Sequence, residues 1–140
     1  ISIQSQIYKI DDRAFYNCNQ LKKIEFSENS NLTIFDKYCF SFSSLESILI
    51  PSSVITIDDH AFSHCKNLKK IDFKSNSKLK SIGKFAFLNT SIEKFSIPQN
   101  VAQLKKGWCN QTLNLVQILV HPNNQNFSYI NDSLLVGKTN

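Results

Sequence analysis

The 140-residue sequence has no methionine, a single tryptophan, a single arginine, three glycines and three prolines. So little glycine leaves no material for a loop that cradles phosphate, and so little proline excludes a Pro-rich spacer. No apolar run approaches the ~18 residues of a membrane-spanning helix, and no basic start with an apolar stretch resembles a signal peptide. Direct membrane insertion is therefore not expected. Charged residues make up only 19%, so the solvent coat must come from serine and asparagine, present 18 and 15 times. What is abundant is apolar: 41% of residues are hydrophobic and eleven are Phe. That excludes a disordered tail and supports one domain with a core. Without an initiator Met, and starting inside what proves to be a repeat, the chain reads as a fragment.

Five runs align. Leu21-Lys-Lys-Ile24-Glu-Phe26, Leu45-Glu-Ser-Ile48-Leu-Ile50, Leu68-Lys-Lys-Ile71-Asp-Phe73, Ile92-Glu-Lys-Phe95-Ser-Ile97 and Leu115-Val-Gln-Ile118-Leu-Val120 start 24, 23, 24 and 23 residues apart. Eight positions into each stand Asn29, Ser53, Asn76, Asn100 and Asn123, which completes the leucine-rich-repeat signature. A second apolar pair follows each run (Ile7/Ile10, Leu32/Phe35, Val54/Ile57, Leu79/Ile82, Val101/Leu104). Ala14-Phe15, Cys39-Phe40, Ala61-Phe62 and Ala86-Phe87 come next, then an altered Trp108-Cys109. Longer coils carrying a Cys loop alternate with shorter ones closed by Pro51 or Pro98, so the true unit is a 47-residue pair.

Period-two alternation sends Leu, Ile and Phe of each run to one side, and only stacking of coils buries that side. The expected fold is an α/β repeat: a right-handed leucine-rich-repeat solenoid with one six-stranded parallel sheet, the sixth strand coming from Ile1-Ile3. Short helical or 3₁₀ turns are expected on the opposite wall, entered at Asp11-Asp12, Asp36 and Asp58-Asp59. Phe15, Phe40, Phe62 and Phe87 should stack as a column there. Residues 1–140 form a single solenoid of about five repeats, cut at its N-terminus, with 121–140 as an atypical closing segment. Lys22, Glu46, Lys69 and Glu93 alternate in sign on adjacent strands and predict a charge ladder.

The spaced motifs Leu45 to Pro51, Ser53 to Ile57 and Ala61 to Cys65 resemble the BspA-like leucine-rich-repeat family, whose pattern they follow over almost the whole chain. The resemblance implies a non-catalytic, protein-binding module of a cell-surface adhesin or antigen that engages host or matrix proteins. An intracellular, cytoplasmic scaffold of the same fold is the alternative, and a hydrolase a remote one.

Reactive residue types fall on repeat positions. His60, His64 and Cys65 have the residue types of a zinc site, and Asp58, His60 and Ser63 those of a hydrolase triad. His60, however, replaces Arg13 and Tyr38, and His64 replaces Asn17 and Phe42, so neither place demands a ligand. No metal, cofactor or catalytic residue is expected. Cys18 and Cys65 occupy one place two coils apart, roughly 9–10 Å by strand spacing, beyond the ~7 Å limit for a bridge; Cys39 and Cys109 stand at core positions. Free thiols are expected. Asn31, Asn89, Asn110, Asn126 and Asn131 each begin a glycosylation sequon, about twice the number chance gives in so Asn- and Ser-rich a chain. Residues 66–84 carry a net +6, against +5 for the whole chain, spread around one coil. Without interleaved aromatics this is not a nucleic-acid site.

Function then rests on surfaces. The outward residues of the runs make two columns, Lys23, Ser47, Lys70, Lys94, Gln117 and Glu25, Leu49, Asp72, Ser96, Leu119. Exposed Leu49 and Leu119 beside a lysine column predict the binding face for an acidic protein partner.

Overall fold

The computed structural model describes residues 1–130 and 134–137. It is a parallel β-solenoid of about five turns. One wall carries the runs in a row, β1 (Ser2–Ile3), β3 (Glu25–Phe26), β5 (Ser47–Ile50), β7 (Lys70–Phe73), β9 (Lys94–Ile97) and β11 (Gln117–Val120). A second wall carries β2 (Lys9–Ile10), β4 (Ile34–Phe35), β6 (Thr56–Ile57), β8 (Ser81–Ile82) and β10 (Gln103–Leu104). β12 (Phe127–Ile130) and β13 (Leu134–Gly137) follow as an antiparallel pair.

The expected single six-stranded sheet is corrected on two counts. First, the row pairs in twos, β1–β3, β5–β7 and β9–β11, with only the bridge Lys23 to Ser47 joining β3 to β5. The breaks coincide with missing donors. Ser27, Lys74 and His121 each donate their N–H to the preceding coil, to Ile3, Ile50 and Ile97 carbonyls at 3.1, 3.0 and 3.0 Å. The equivalent residues in the other two coils are Pro51 and Pro98, which have no N–H. Both ladder breaks fall at those prolines, so the two-coil period of the sequence is written into the hydrogen bonding. Second, the wall that is continuous is the other one: β2, β4, β6, β8 and β10 form a five-stranded parallel sheet. Ile10, Phe35, Ile57 and Ile82 lie side by side in it and are buried.

The third wall holds turns, and among the described residues no helix. Arg13 and Asn17, Tyr38 and Phe42, His60 and His64, Phe85 and Asn89, and Gly107 and Gln111 all have φ between 53 and 67°. A left-handed residue at every fourth position breaks any helix. The backbone bonds instead in two directions. Ala14 and Tyr16 N–H groups bond within the coil, to Asp11 and Arg13 carbonyls at 3.1 and 3.0 Å. Those of Arg13, Phe15 and Asn17 cross to the next coil, to Lys37, Cys39 and Ser41 at 3.1, 2.7 and 2.9 Å. Later coils repeat the pattern, so a wall of turns is as thoroughly bonded as a sheet.

Aromatic stacking locks the coils together. Phe15, Phe40, Phe62 and Phe87 form the expected core column, with centroids 5.0, 5.3 and 5.4 Å apart and planes within 8°. Each fully buried ring contributes about 2–3 kcal/mol. At the altered coil the sizes are exchanged: Trp108 takes the Ala position and Cys109 the Phe position. The indole meets Phe95 at 4.8 Å and Phe87 edge-on at 6.4 Å, filling the space the missing ring leaves. Cover thins towards β11, whose Ile118 and Val120 are only half-buried where Phe95 and Ile97 are sealed.

Short polar side chains close the corners. Ser53 Oγ donates to the Leu32 carbonyl at 2.7 Å and Asn100 Nδ2 to that of Ser77 at 2.8 Å. After β11 the work falls to Asn124, not Asn123. Buried Asn124 donates to the carbonyls of Pro98 (2.8 Å) and Val101 (3.1 Å) and accepts from the N–H groups of Asn126 and Phe127. Asn29 is exposed.

Candidate functional site

The strand row brings the sequence-derived candidates onto one face. Ser47 lies beside Lys70 and Leu49 beside Asp72; Lys94 lies beside Gln117 and Ser96 beside Leu119. Lys23 bridges to Ser47. All eight candidates, Lys23, Ser47, Leu49, Lys70, Asp72, Lys94, Gln117 and Leu119, are exposed. Leu49 and Leu119 show 47% and 46% of their surface to solvent.

The electrostatics differ from the sequence reading. Lys23 binds Glu25 on its own strand at 2.6 Å, and Lys70 binds Asp72 at 3.1 Å. The hydrogen bond from Lys23 holds the Glu25 carboxyl below its ordinary range. Two of the three lysines in the column are thus partly neutralised, and among the described residues Lys94 is the one that makes no ion pair. The ladder expected from Lys22, Glu46, Lys69 and Glu93 does not close: no pair among them comes within 4.0 Å. The pairs that do form, Lys23 with Glu25 and Lys70 with Asp72, stand two positions apart on one strand, where side chains point the same way.

At the loop end of this face lies a groove of about 840 Å³. Asp72, Phe73, Ser96, Gln99, Leu119 and His121 line it. It opens where the proline breaks the ladder between β7 and β9. His121 Nδ1 accepts the Asn123 N–H at 3.1 Å, which leaves its Nε2 as the donor. Sequence reasoning finds Asp72 and Leu119 but misses the loop residues; their signal is the turn that follows each run.

The reactive residues lie apart. His60 stacks on Tyr38 at 4.7 Å and leans on Phe85 at 5.3 Å. Ser63 is buried against the Ser41 hydroxyl at 2.8 Å, and Asp58 accepts the Asp59 N–H at 2.7 Å. His64 stacks on Phe42 at 4.5 Å and meets Asn89 through Nδ1 at 3.1 Å. Cys65 donates to the Phe40 carbonyl at 2.9 Å, and burial pushes its thiol up to about 11. Asp58 thus caps its own turn and the other groups are engaged by residues of adjacent coils. All four cysteines are free thiols.

Three sequon asparagines also serve the coil stack. Asn31 Nδ2 donates to the Ser5 carbonyl at 3.0 Å, Asn126 Nδ2 to that of Val101 at 3.2 Å, and Asn89 Nδ2 contacts His64. Asn110 is exposed. Asn131 lies outside the described residues.

The repeat geometry agrees with comparison to known proteins. A model of the BspA-type leucine-rich-repeat region matches residues 1–133 in six copies. The chain belongs to this family. Among solved structures the pneumococcal vaccine antigen PcpA is similar, with a TM-score of 0.92 and 34% identity over 99% of this chain. The chain spans 34% of PcpA's length. A leucine-rich cell surface protein from Faecalibacterium prausnitzii A2-165 shares the fold, with a TM-score of 0.72, 21% identity, and coverage of 99% of this chain and 42% of that one. So does a leucine-rich-repeat protein from Eubacterium ventriosum, with a TM-score of 0.60, 24% identity, and coverage of 82% and 36%. No match is found among curated protein sequences. BspA-type repeats in this chain therefore resemble those of surface antigens.

Proposed function

We propose that this chain is a non-catalytic protein-binding module of a cell-surface adhesin or antigen, and that its strand face engages a host or matrix protein. The observation that carries the reading is the outward column in which Leu49 and Leu119, both about half exposed, flank Asp72 and Ser96. Desolvated apolar anchors ringed by polar groups are the usual seat of binding energy. Since Lys23 and Lys70 are already paired, the fitting partner is not uniformly acidic. It offers apolar side chains to Leu49 and Leu119 and a carboxylate to Lys94. Likeness to surface antigens supports display outside the cell, and a glycan, if attached, belongs at Asn110.

The test is adhesion of protein-coated beads to immobilised extracellular matrix. Leu49→Asp with Leu119→Asp should reduce retention at least ~tenfold, mainly through faster dissociation, and Lys94→Glu should slow association. Unchanged adhesion by all three substitutions would move the site off this face.

A further inference from the structure

We infer that the rim of the five-stranded sheet on the last two coils binds a sulfated polysaccharide. The rim is the pair of positions that follows each strand of that sheet. In the first three coils it holds Asp11-Asp12, Asp36-Lys37 and Asp58-Asp59; in the last two it holds Gly83-Lys84 and Lys105-Lys106. Its sign therefore reverses along the solenoid.

The reversal has a structural cause. In the second and third coils the rim carboxylate caps its own turn: Asp36 accepts the Lys37 N–H at 2.8 Å and Asp58 that of Asp59 at 2.7 Å. At the fourth coil the cap comes from outside, since Asp59 accepts the Lys84 N–H at 2.7 Å. Gly83 makes room for it: a Cβ there would overlap the backbone nitrogen of Asp59. From that point the fold no longer requires an acid on the rim, and only lysines follow.

Most of these lysines are uncompensated, unlike Lys9 and Arg13 of the early coils. Lys9 binds both Asp11 and Asp36, at 3.1 and 2.7 Å, and Arg13 binds Asp12 at 2.8 Å. Lys78, Lys80, Lys84 and Lys106 make no ion pair within 4.0 Å among the described residues, and Lys105 reaches only Asp59, at 3.8 Å. All five are exposed. Lys84 and Lys106 share a register position on adjacent coils, whose strands run roughly 4.8 Å apart, so one anionic group can reach both ammonium groups. A single small anion cannot span five lysines on two coils, whereas a chain bearing repeated sulfates can.

The direction of such a chain follows from the same charges. Along the solenoid axis it would run into Asp58 and Asp59, so it lies along the coils, from Lys78 through Lys80 to Lys84, with Lys105 and Lys106 alongside. Outward residues between the lysines are Ser81 and Gln103, which offer hydrogen bonds to hydroxyls. They provide no aromatic platform for bases and no wedge for a bilayer. This surface is separate from the strand face, and either can fail without the other.

The test uses heparin as the probe, with circular dichroism to confirm folding. The triple variant Lys84→Gln, Lys105→Gln, Lys106→Gln should bind heparin at least ~tenfold more weakly, and the slope of log affinity against log salt should fall by about one per lysine removed. The charge-matched control Lys22→Gln, Lys66→Gln, Lys69→Gln should stay within ~twofold of the unmodified chain. Equal losses in both triples, or no binding by the unmodified chain at physiological salt, would overturn the site. Equal or tighter capture of phosphatidylserine vesicles or single-stranded DNA through Lys84, Lys105 and Lys106 would overturn the assignment to a sulfated polysaccharide.

Discussion

The turn wall and the strand row are built by the same coils, yet they treat neighbouring coils in opposite ways. On the turn wall each residue leans on its equivalent in the next coil. Arg13 lies 4.8 Å over the Tyr38 ring, Tyr38 stacks on His60, and His60 leans on Phe85; one layer inward the core phenylalanines stack. On the strand row the outward residues change from coil to coil, pair along their own strand, and lose their backbone ladder at every second coil. A position that stacks on its equivalent must keep its size and planarity, whereas one that meets water is free to vary. Stability is therefore concentrated in the turn wall and core, and the two surfaces proposed for binding, the strand face and the lysine rim, are the ones free to vary.

The sharpest way to break this comparison is to remove one ring and one face residue. Phe62 is fully buried between Phe40 and Phe87 and also meets Phe35 at 5.4 Å. Phe62→Ala should cost about 3–5 kcal/mol, a large part of a small domain's stability. Ser47→Ala, on the strand face, should stay within about 0.5 kcal/mol. Denaturant melts of the two variants would decide it, and similar losses would mean that stability is not segregated between the walls.

A smaller effect separates the walls by pH. Burial within the stack, helped by the nearby His64, lowers the affinity of His60 for a proton, and Asp59 only partly opposes this. A histidine with a depressed folded-state pKa adds stability above its unfolded value of about 6.5, and that stability is lost as pH falls through the folded value. Melting temperature should therefore fall between about pH 7 and about pH 5. His60→Phe, which places a ring like Phe85 in the column, should flatten the fall. Asp36, whose pKa is lowered by the hydrogen bond from Lys9, acts in a different window. Its contribution disappears only as pH drops below the ordinary carboxylate value of about 3.9. A fall above pH 5 that persists in the His60 variant would assign the effect elsewhere.

How much of this is legible in the sequence depends on the size of each signal. Runs such as Leu68 to Phe73 repeat at 23–24 residues, so the solenoid, the core column and the two outward columns can be read directly. The five-stranded sheet cannot, because strands of two residues such as Thr56–Ile57 are too short to show a period of two. The turn wall reads as helical because Asp58-Asp59 before Ala61-Phe62 looks like a helix start. Left-handed Tyr38 and Phe85 run against propensity and are stabilised by neighbours in other coils, which local rules do not see. The strand-face residues are visible in the sequence, but not their pairing within one strand, Lys23 with Glu25 and Lys70 with Asp72, because the side-chain rotamers that make it leave no mark on the repeat.

The smallest expected effect probes why the strand row is broken at all. If Pro98 interrupts the ladder only because it lacks a donor, Pro98→Ala restores an N–H facing the Phe73 carbonyl. The new hydrogen bond should add about 0.5–1.5 kcal/mol, while the loss of proline's restraint on the unfolded chain should remove about 0.4–1 kcal/mol. Since these nearly cancel, the melting temperature should move by no more than a few degrees. The informative measurement is hydrogen exchange. The amide introduced at position 98 should be protected to the degree of His121, whose N–H already bonds the Ile97 carbonyl at 3.0 Å. Free exchange of that amide would show that the walls differ for a reason beyond proline chemistry, with β7 and β9 held out of register by the coils themselves.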